Sequence, residues 1–134
     1  MLRCPFGLAL AVLSYAGMAI GAAAAEEDQY DRARAQHPDL FKVYYDENVL
    51  EYCGLLTHDS ALGFAMTRDD LLAARRLSEE DVRQVRVAGA IAADVAYSAH
   101  GLAQSAWCKR EGAEAYNRFM ERYRATPYGT VQTE

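Results

Sequence analysis

Alternating apolar and polar residues, the mark of a half-buried strand, are missing over any convincing length of this sequence. Without them a sheet has no face to bury, so the chain reads as all-α. Compact chemical signatures are missing too. There is no C-x-x-C pair, no C-x-x-C-H haem attachment, no G-x-S-x-G elbow and no phosphate-binding glycine loop. Their absence argues against dithiol exchange, c-type haem, the hydrolase nucleophile and nucleotide binding. Positive charge is scarce: Lys42 and Lys109 are the only lysines, and the net charge is −5 at pH 7. That balance argues against general nucleic-acid binding. There is no internal repeat and no low-complexity linker, and the length suits one domain.

What is present begins with a leader. Arg3 supplies a short positive start, Phe6 to Ile20 is uncharged and largely apolar, and Ala23 and Ala25 stand just before the acidic Glu26. This is the pattern of a secretory signal peptide over residues 1–25, cleaved after Ala25, and it places the mature chain in the periplasm or outside the cell. The competing reading is a retained anchor, because Pro5 to Ala25 carries no charge. Cys4 falls within the removed segment. Arginine dominates the basic residues and alanine is abundant, as in a GC-rich bacterial genome.

Residues 26–134 then form a single helical domain holding two cysteines, Cys53 and Cys108. In an oxidising compartment an even pair reads as a disulfide, and two cysteines allow one intramolecular connectivity. Closing so long a loop contributes up to roughly 4 kcal/mol, a large share of a small domain's stability, so reductant should lower the melting temperature sharply.

The stretch Ser78 to Cys108 reads as the central helix or helix pair. Ser78 is a good N-cap, Asp81 stands at the capping-box position, and Leu77 and Val82 are spaced as a hydrophobic staple. Glu79, Glu80 and Asp81 complement the helix dipole. Val82, Val85, Gly89, Ala92, Ala96, Ala99 and Ala103 fall on one stripe, which Ile91, Val95 and Leu102 widen. Charges at Arg83, Arg86 and Asp94 exclude a membrane span here. An unbroken helix would put Cys108 opposite the stripe, so a break is expected at His100-Gly101.

Before it, Glu26 to Gln36 is polar and expected to be a frayed helical turn or two, or disorder. Pro38 to about Leu55 forms an amphipathic helix with Leu40, Phe41, Tyr44, Tyr45, Val49, Tyr52 and Cys53 inward. Lys42, Asp46, Glu47 and Glu51 are assigned to its outer face. Thr67, with Asp70 at the capping-box position, either starts a helix or sits inside one, and the preferred helix runs from about Ser60 to Arg76, capped by Asp59 or Ser60 and kinked near Thr67. After a joint at Gly112, Ala113, Tyr116, Phe119, Met120 and Tyr123 give a last apolar face to Ala125, followed by a loose tail. The fold expected is a small bundle of four to five helices pinned by one disulfide.

The candidate chemistry is thin. Cys53, His58, His100 and Cys108 could form a Cys₂His₂ metal site, but their spacing matches no short zinc motif and oxidation favours the bridge. Cys53 beside His58 is the one local nucleophile–base pair, and a bridged sulfur cannot attack. Glu79-Glu80 and Asp69-Asp70 sit at helix starts, where dipole effects explain them. No catalytic, cofactor or metal residue is therefore assigned. From Asp39 to Asp81 there are ten acidic and four basic residues, and from Val82 to Ala125 seven basic and four acidic. Such blocks read as faces that attract each other within the fold. The function expected is a non-enzymatic interaction module for a protein or envelope component, without nucleic acid and without a membrane span after cleavage. An acid-responsive chaperone and a metal- or small-ligand-binding protein are the alternatives.

Overall fold

Among residues 29–127, which the computed structural model describes, every regular element is helical. The expected leader and the chain from 128 onward lie outside them. A two-turn helix α1 (29–36) stands where a helical turn or two, or disorder, is expected. Its one buried side chain, Ala33, docks on the core, with Tyr30 packed partly against it.

Helix α2 (Pro38–Tyr52) begins with proline at its first turn and Asp39 at the positive end of the dipole. It stops three residues before the expected Leu55. Gly54 adopts φ +65°, its N–H donates to Glu51 O at 3.1 Å, and the Leu55 N–H reaches Leu50 O at 2.8 Å. This paired closure needs a left-handed residue, which glycine supplies without strain.

Helix α3 (His58–Ala74) starts earlier than expected. Thr57, not Asp59 or Ser60, is the cap, and its hydroxyl accepts from Ser60 N–H at 3.2 Å. The buried Ser60 hydroxyl accepts in return from Thr57 N–H at 2.8 Å. The helix runs unbroken through Thr67, whose hydroxyl donates to Gly63 O at 2.8 Å.

Helix α4 (Glu79–Ala99) starts as its sequence indicates: Ser78 Oγ accepts from Asp81 N–H at 3.1 Å, and Asp81 Oδ2 accepts from Ser78 N–H at 3.2 Å. It ends before His100, as expected, and Gly101–Ala103 forms a single 3₁₀ turn. A short α5 (Gln104–Trp107), a π-helical turn (Cys108–Gly112) and α6 (Ala113–Arg124) then follow. Gly112 is thus a re-phasing point rather than a stop.

Two close pairs, α2 with α4 and α3 with α6, make the bundle, and α2 also touches α3, α6 and the π-turn. A glycine sets each close approach. A Cβ on Gly63 would stand 2.0 Å from Phe119 O, and one on Gly89 would stand 2.9 Å from Tyr44 Cβ and Tyr45 N. Edge-on aromatic contacts tie the pairs together, Tyr44 to Phe64 at 6.0 Å and Phe64 to Phe119 at 5.7 Å.

The hub of the bundle is therefore α2, not the stretch from Ser78 expected to be central. Leu40, Val43, Tyr44, Val49 and Leu50 are all buried. So is Asp46, assigned to the outer face, at 1% exposure. Its two carboxylate oxygens face Lys42 on the same helix and Arg118 on α6. Such pairing is what a buried charge requires. Burial, then the adjacent Arg118 guanidinium, lowers the Lys42 pKa, while Glu111 and Glu114 act the other way. Asp46–Arg118 and a 2.8 Å pair between Asp70 and Arg122 link the acidic first half to the basic second half.

Candidate functional site

Both sequence-assigned sulfurs come together. Cys53 caps α2, Cys108 opens the π-turn, and the sulfurs lie 1.99 Å apart with Cα atoms at 5.4 Å, a disulfide closing 55 positions. The break after α4 brings Cys108 to the α2 side, where an unbroken helix would not put it. Gly112 leaves room, since a Cβ there would meet Leu55 Cδ1 at 2.9 Å and Cys53 Sγ at 3.3 Å.

Aromatic rings sheathe the bridge. Tyr52 stacks on Tyr97 at 5.1 Å and 12°, Tyr97 meets Trp107 edge-on at 5.9 Å, and His100 lies 5.4 Å from Trp107. The Tyr52 hydroxyl donates to Asp94 Oδ1 at 3.3 Å. Burial first, and then the Asp94 carboxylate, raises the Tyr52 pKa. A shallow cleft of about 630 Å³ borders this cluster, with Tyr52, Leu55, Tyr97, Gln104 and Lys109 on its walls. Gln104 is committed to Tyr97 O at 3.3 Å. The cleft is mostly packing surface around a closed disulfide, and a closed disulfide has no thiolate to offer.

The two histidines weighed as ligands do not complete a metal site. His58 is exposed as the first residue of α3, and His100 Nδ1 sits 2.6 Å from Ala96 O. Among the described residues no three His, Cys, Asp or Glu side chains converge as a metal site. Glu79 and Glu80 lie in the first turn of α4, with Glu80 held by Arg83 at 2.6 Å. Asp69 and Asp70 lie inside α3 rather than at a helix start, and they pair with Arg68 and Arg122.

A second surface was not legible in the sequence. The wide stripe assigned to α4 is divided by the fold. Val85, Ala88, Gly89 and Ala93 are buried, whereas Ile91 is 46% exposed, Val95 60%, and Leu102 stands fully out. The close approach at Gly89 turns the 85–89–93 edge toward α2 and leaves the other flank uncovered. That flank borders a groove of about 400 Å³. Ile91, Val95 and Ala99 form one wall, Phe41 and Ala88 lie at its base, and Tyr30, Asp31 and Arg34 of α1 form the other wall. Arg34 sits over the Phe41 ring at 4.9 Å, so the α1 wall is amphipathic. Spacings of three and four residues from Ala88 to Ala99 give a straight apolar strip about 16 Å long at 1.5 Å per residue. A strip of that shape accepts another helix.

Comparison with known proteins adds no relative: no family model, no curated protein and no solved structure matches the chain. Among the described residues no helix is long and apolar enough to cross a membrane.

Proposed function

We propose that this protein is an exported, non-enzymatic interaction module that docks an amphipathic helix along the open flank of α4. One observation carries the reading: Ile91 and Val95, half and more exposed, continue an apolar strip into a groove walled by a second helix. Single exposed apolar residues are ordinary on a surface, but an aligned set beside a groove marks a contact site. The leader pattern over residues 1–25 and the paired cysteines support export. A photo-reactive residue at Val95, compared with one at Arg83 outside the strip, tests the proposal in living cells. Adducts are expected at position 95 and not at 83. Equal labelling at both, or none at 95, would remove the groove from consideration.

A second reading is an acid-responsive chaperone, favoured by the ion pairs of Asp46 with Arg118 and Asp70 with Arg122, which hold α6 to the rest. Loss of those pairs would loosen α6 and bare Phe119 and Met120. Apolar-dye binding between about pH 2 and 7 tests it, and dye signal that stays flat discards it.

A further inference from the structure

We infer that the Cys53–Cys108 bridge is a site of thiol exchange: a dithiol entering the cleft beside it reduces it, and the chain from Gly101 to Gly112 is released while the four long helices stay packed. The inference goes beyond the docking role and makes no use of the groove on α4. Both cysteines are only partly buried, and both line the cleft of about 630 Å³, with the exposed Tyr52 and Lys109 on its other walls. Bridges within reach of solvent form the labile, regulatory class. A closed bridge offers no thiolate, but it accepts one. The two sulfurs are unequal in that reaction. Cys53 closes α2 at the negative end of its dipole, with Glu51 two residues before it, and a thiolate is disfavoured there. Cys108 is followed by Lys109 and Arg110, which favour one. The incoming thiolate therefore bonds to Cys53 Sγ, and the bond between the two sulfurs breaks with its electron pair on Cys108, which takes up a proton. The second sulfur of the dithiol then attacks the mixed bond and expels Cys53, which is protonated in turn. The dithiol leaves as a disulfide, having given up two electrons and two protons, and this chain holds two thiols.

What else holds the segment decides what is released. Gly101 opens it with φ +46°, Gly101 to Ala103 are exposed, and α5 makes most of its contacts with the turns on either side of it. Trp107 and Gly112 are its only buried residues. The main core, with Leu40, Val49, Phe64, Val85 and Phe119, lies on the four long helices instead. The bridge is thus the chief tie on this stretch and one tie among many for the bundle.

The test mixes the oxidised protein with dithiothreitol at rising urea below the unfolding transition, traps free thiols with iodoacetamide and counts them by mass. The initial rate should change less than about twofold with urea, because the folded protein itself reacts. A rate that climbs in step with the unfolded fraction means that the bridge opens only on global unfolding, and it overturns the inference. At short times the monothiol glutathione should be found on Cys53 with Cys108 alkylated; the reverse map overturns the order of attack. Lys109→Glu, at an exposed position, should slow reduction at least about threefold, and an unchanged melting temperature of its oxidised form will show it folded. Arg83→Glu, the same charge change far from the cleft, should leave the rate alone. Equal rates for the two variants remove the role of Lys109 in stabilising the leaving thiolate. Hydrogen exchange of the reduced protein, well below its melting temperature, should be at least about tenfold faster at 101–112 while α2 and α3 stay protected. Protection unchanged at 101–112, or lost throughout the chain, overturns the release.

Discussion

Helices α2 and α4 pack against each other over their length, yet they live in different surroundings. Helix α2 is enclosed by α3, α4, α6 and the π-turn, and it buries side chains around most of its girth. Helix α4 is covered along one edge and open along the other. Of the two, α4 has the more regular pattern, with a full capping box and a long apolar stripe. The comparison shows that amphipathic regularity marks a helix at the boundary of a bundle. A helix at the hub is packed against several neighbours at once and must seat whatever polar group falls between them. In α2 that group is Asp46, and the bundle answers with Lys42 and Arg118.

Truncation should expose the contrast most strongly. Leu50→Ala in α2 opens a cavity at a site with no exposure and should cost about 3 kcal/mol. Ile91→Ala in α4 removes similar volume from an exposed site and should fall within about 0.5 kcal/mol. Urea denaturation of both variants measures the difference, and equal losses would mean that the α4 flank is covered in the folded protein. The charged positions give a smaller version of the same contrast. Asp46→Asn leaves Lys42 and Arg118 facing each other without their counter-charge. Both cations are half-exposed and can turn to water, so the cost should be about 2 kcal/mol, below that of breaking a wholly buried pair. Asp94→Asn in α4, which leaves a neutral acceptor for the exposed hydrogen bond from the Tyr52 hydroxyl, should be close to neutral. A double-mutant cycle between Asp46 and Arg118 isolates the pair.

The smallest expected effect concerns pH. Burial raises the pKa of Glu47 on α2, Glu51 adds to the rise, and Arg68 and Arg86 oppose it. Its folded value therefore lies above the unfolded one. The stabilising contribution is complete below the unfolded pKa and is lost as pH rises through the raised folded value. Glu47→Gln should consequently gain less than about 1 kcal/mol at neutral pH, given its partial exposure, and nothing near pH 3. Unfolding midpoints at the two pH values read the sign, and a loss at neutral pH would reverse it.

Much of this architecture is readable from local rules. The start of α4, its end at His100 and the disulfide all follow from short stretches whose chemistry has one natural outcome. The features that escape depend on neighbours distant in sequence. Asp46 has the look of a solvent-facing residue until α6, more than sixty positions later, lays Arg118 across it. The polar run before Pro38 allows either a helical turn or two or disorder, and what decides for the helix is its docking on the core through Ala33, Tyr30 and Arg34 over Phe41. Thr57 outranks Ser60 as a cap because Ser60 can reciprocate from the third position, a role the sequence pattern reserves for Glu or Gln. The groove escapes for the same kind of reason. Periodicity gives the width of the apolar stripe on α4, but the contact of Gly89 with Tyr44 decides which half is hidden.

Trp107 is the only tryptophan in the chain, 3% exposed, within ring contact of Tyr97 and His100 and adjacent in sequence to a bridged sulfur. Indole emission responds to the polarity around the ring, and disulfides quench it at short range. The protein thus contains its own optical gauge at the junction where the end of α2 is riveted to the chain beyond α4. Reduction of the bridge should brighten that light, and admission of water to the junction should shift it to the red, without any dye attached.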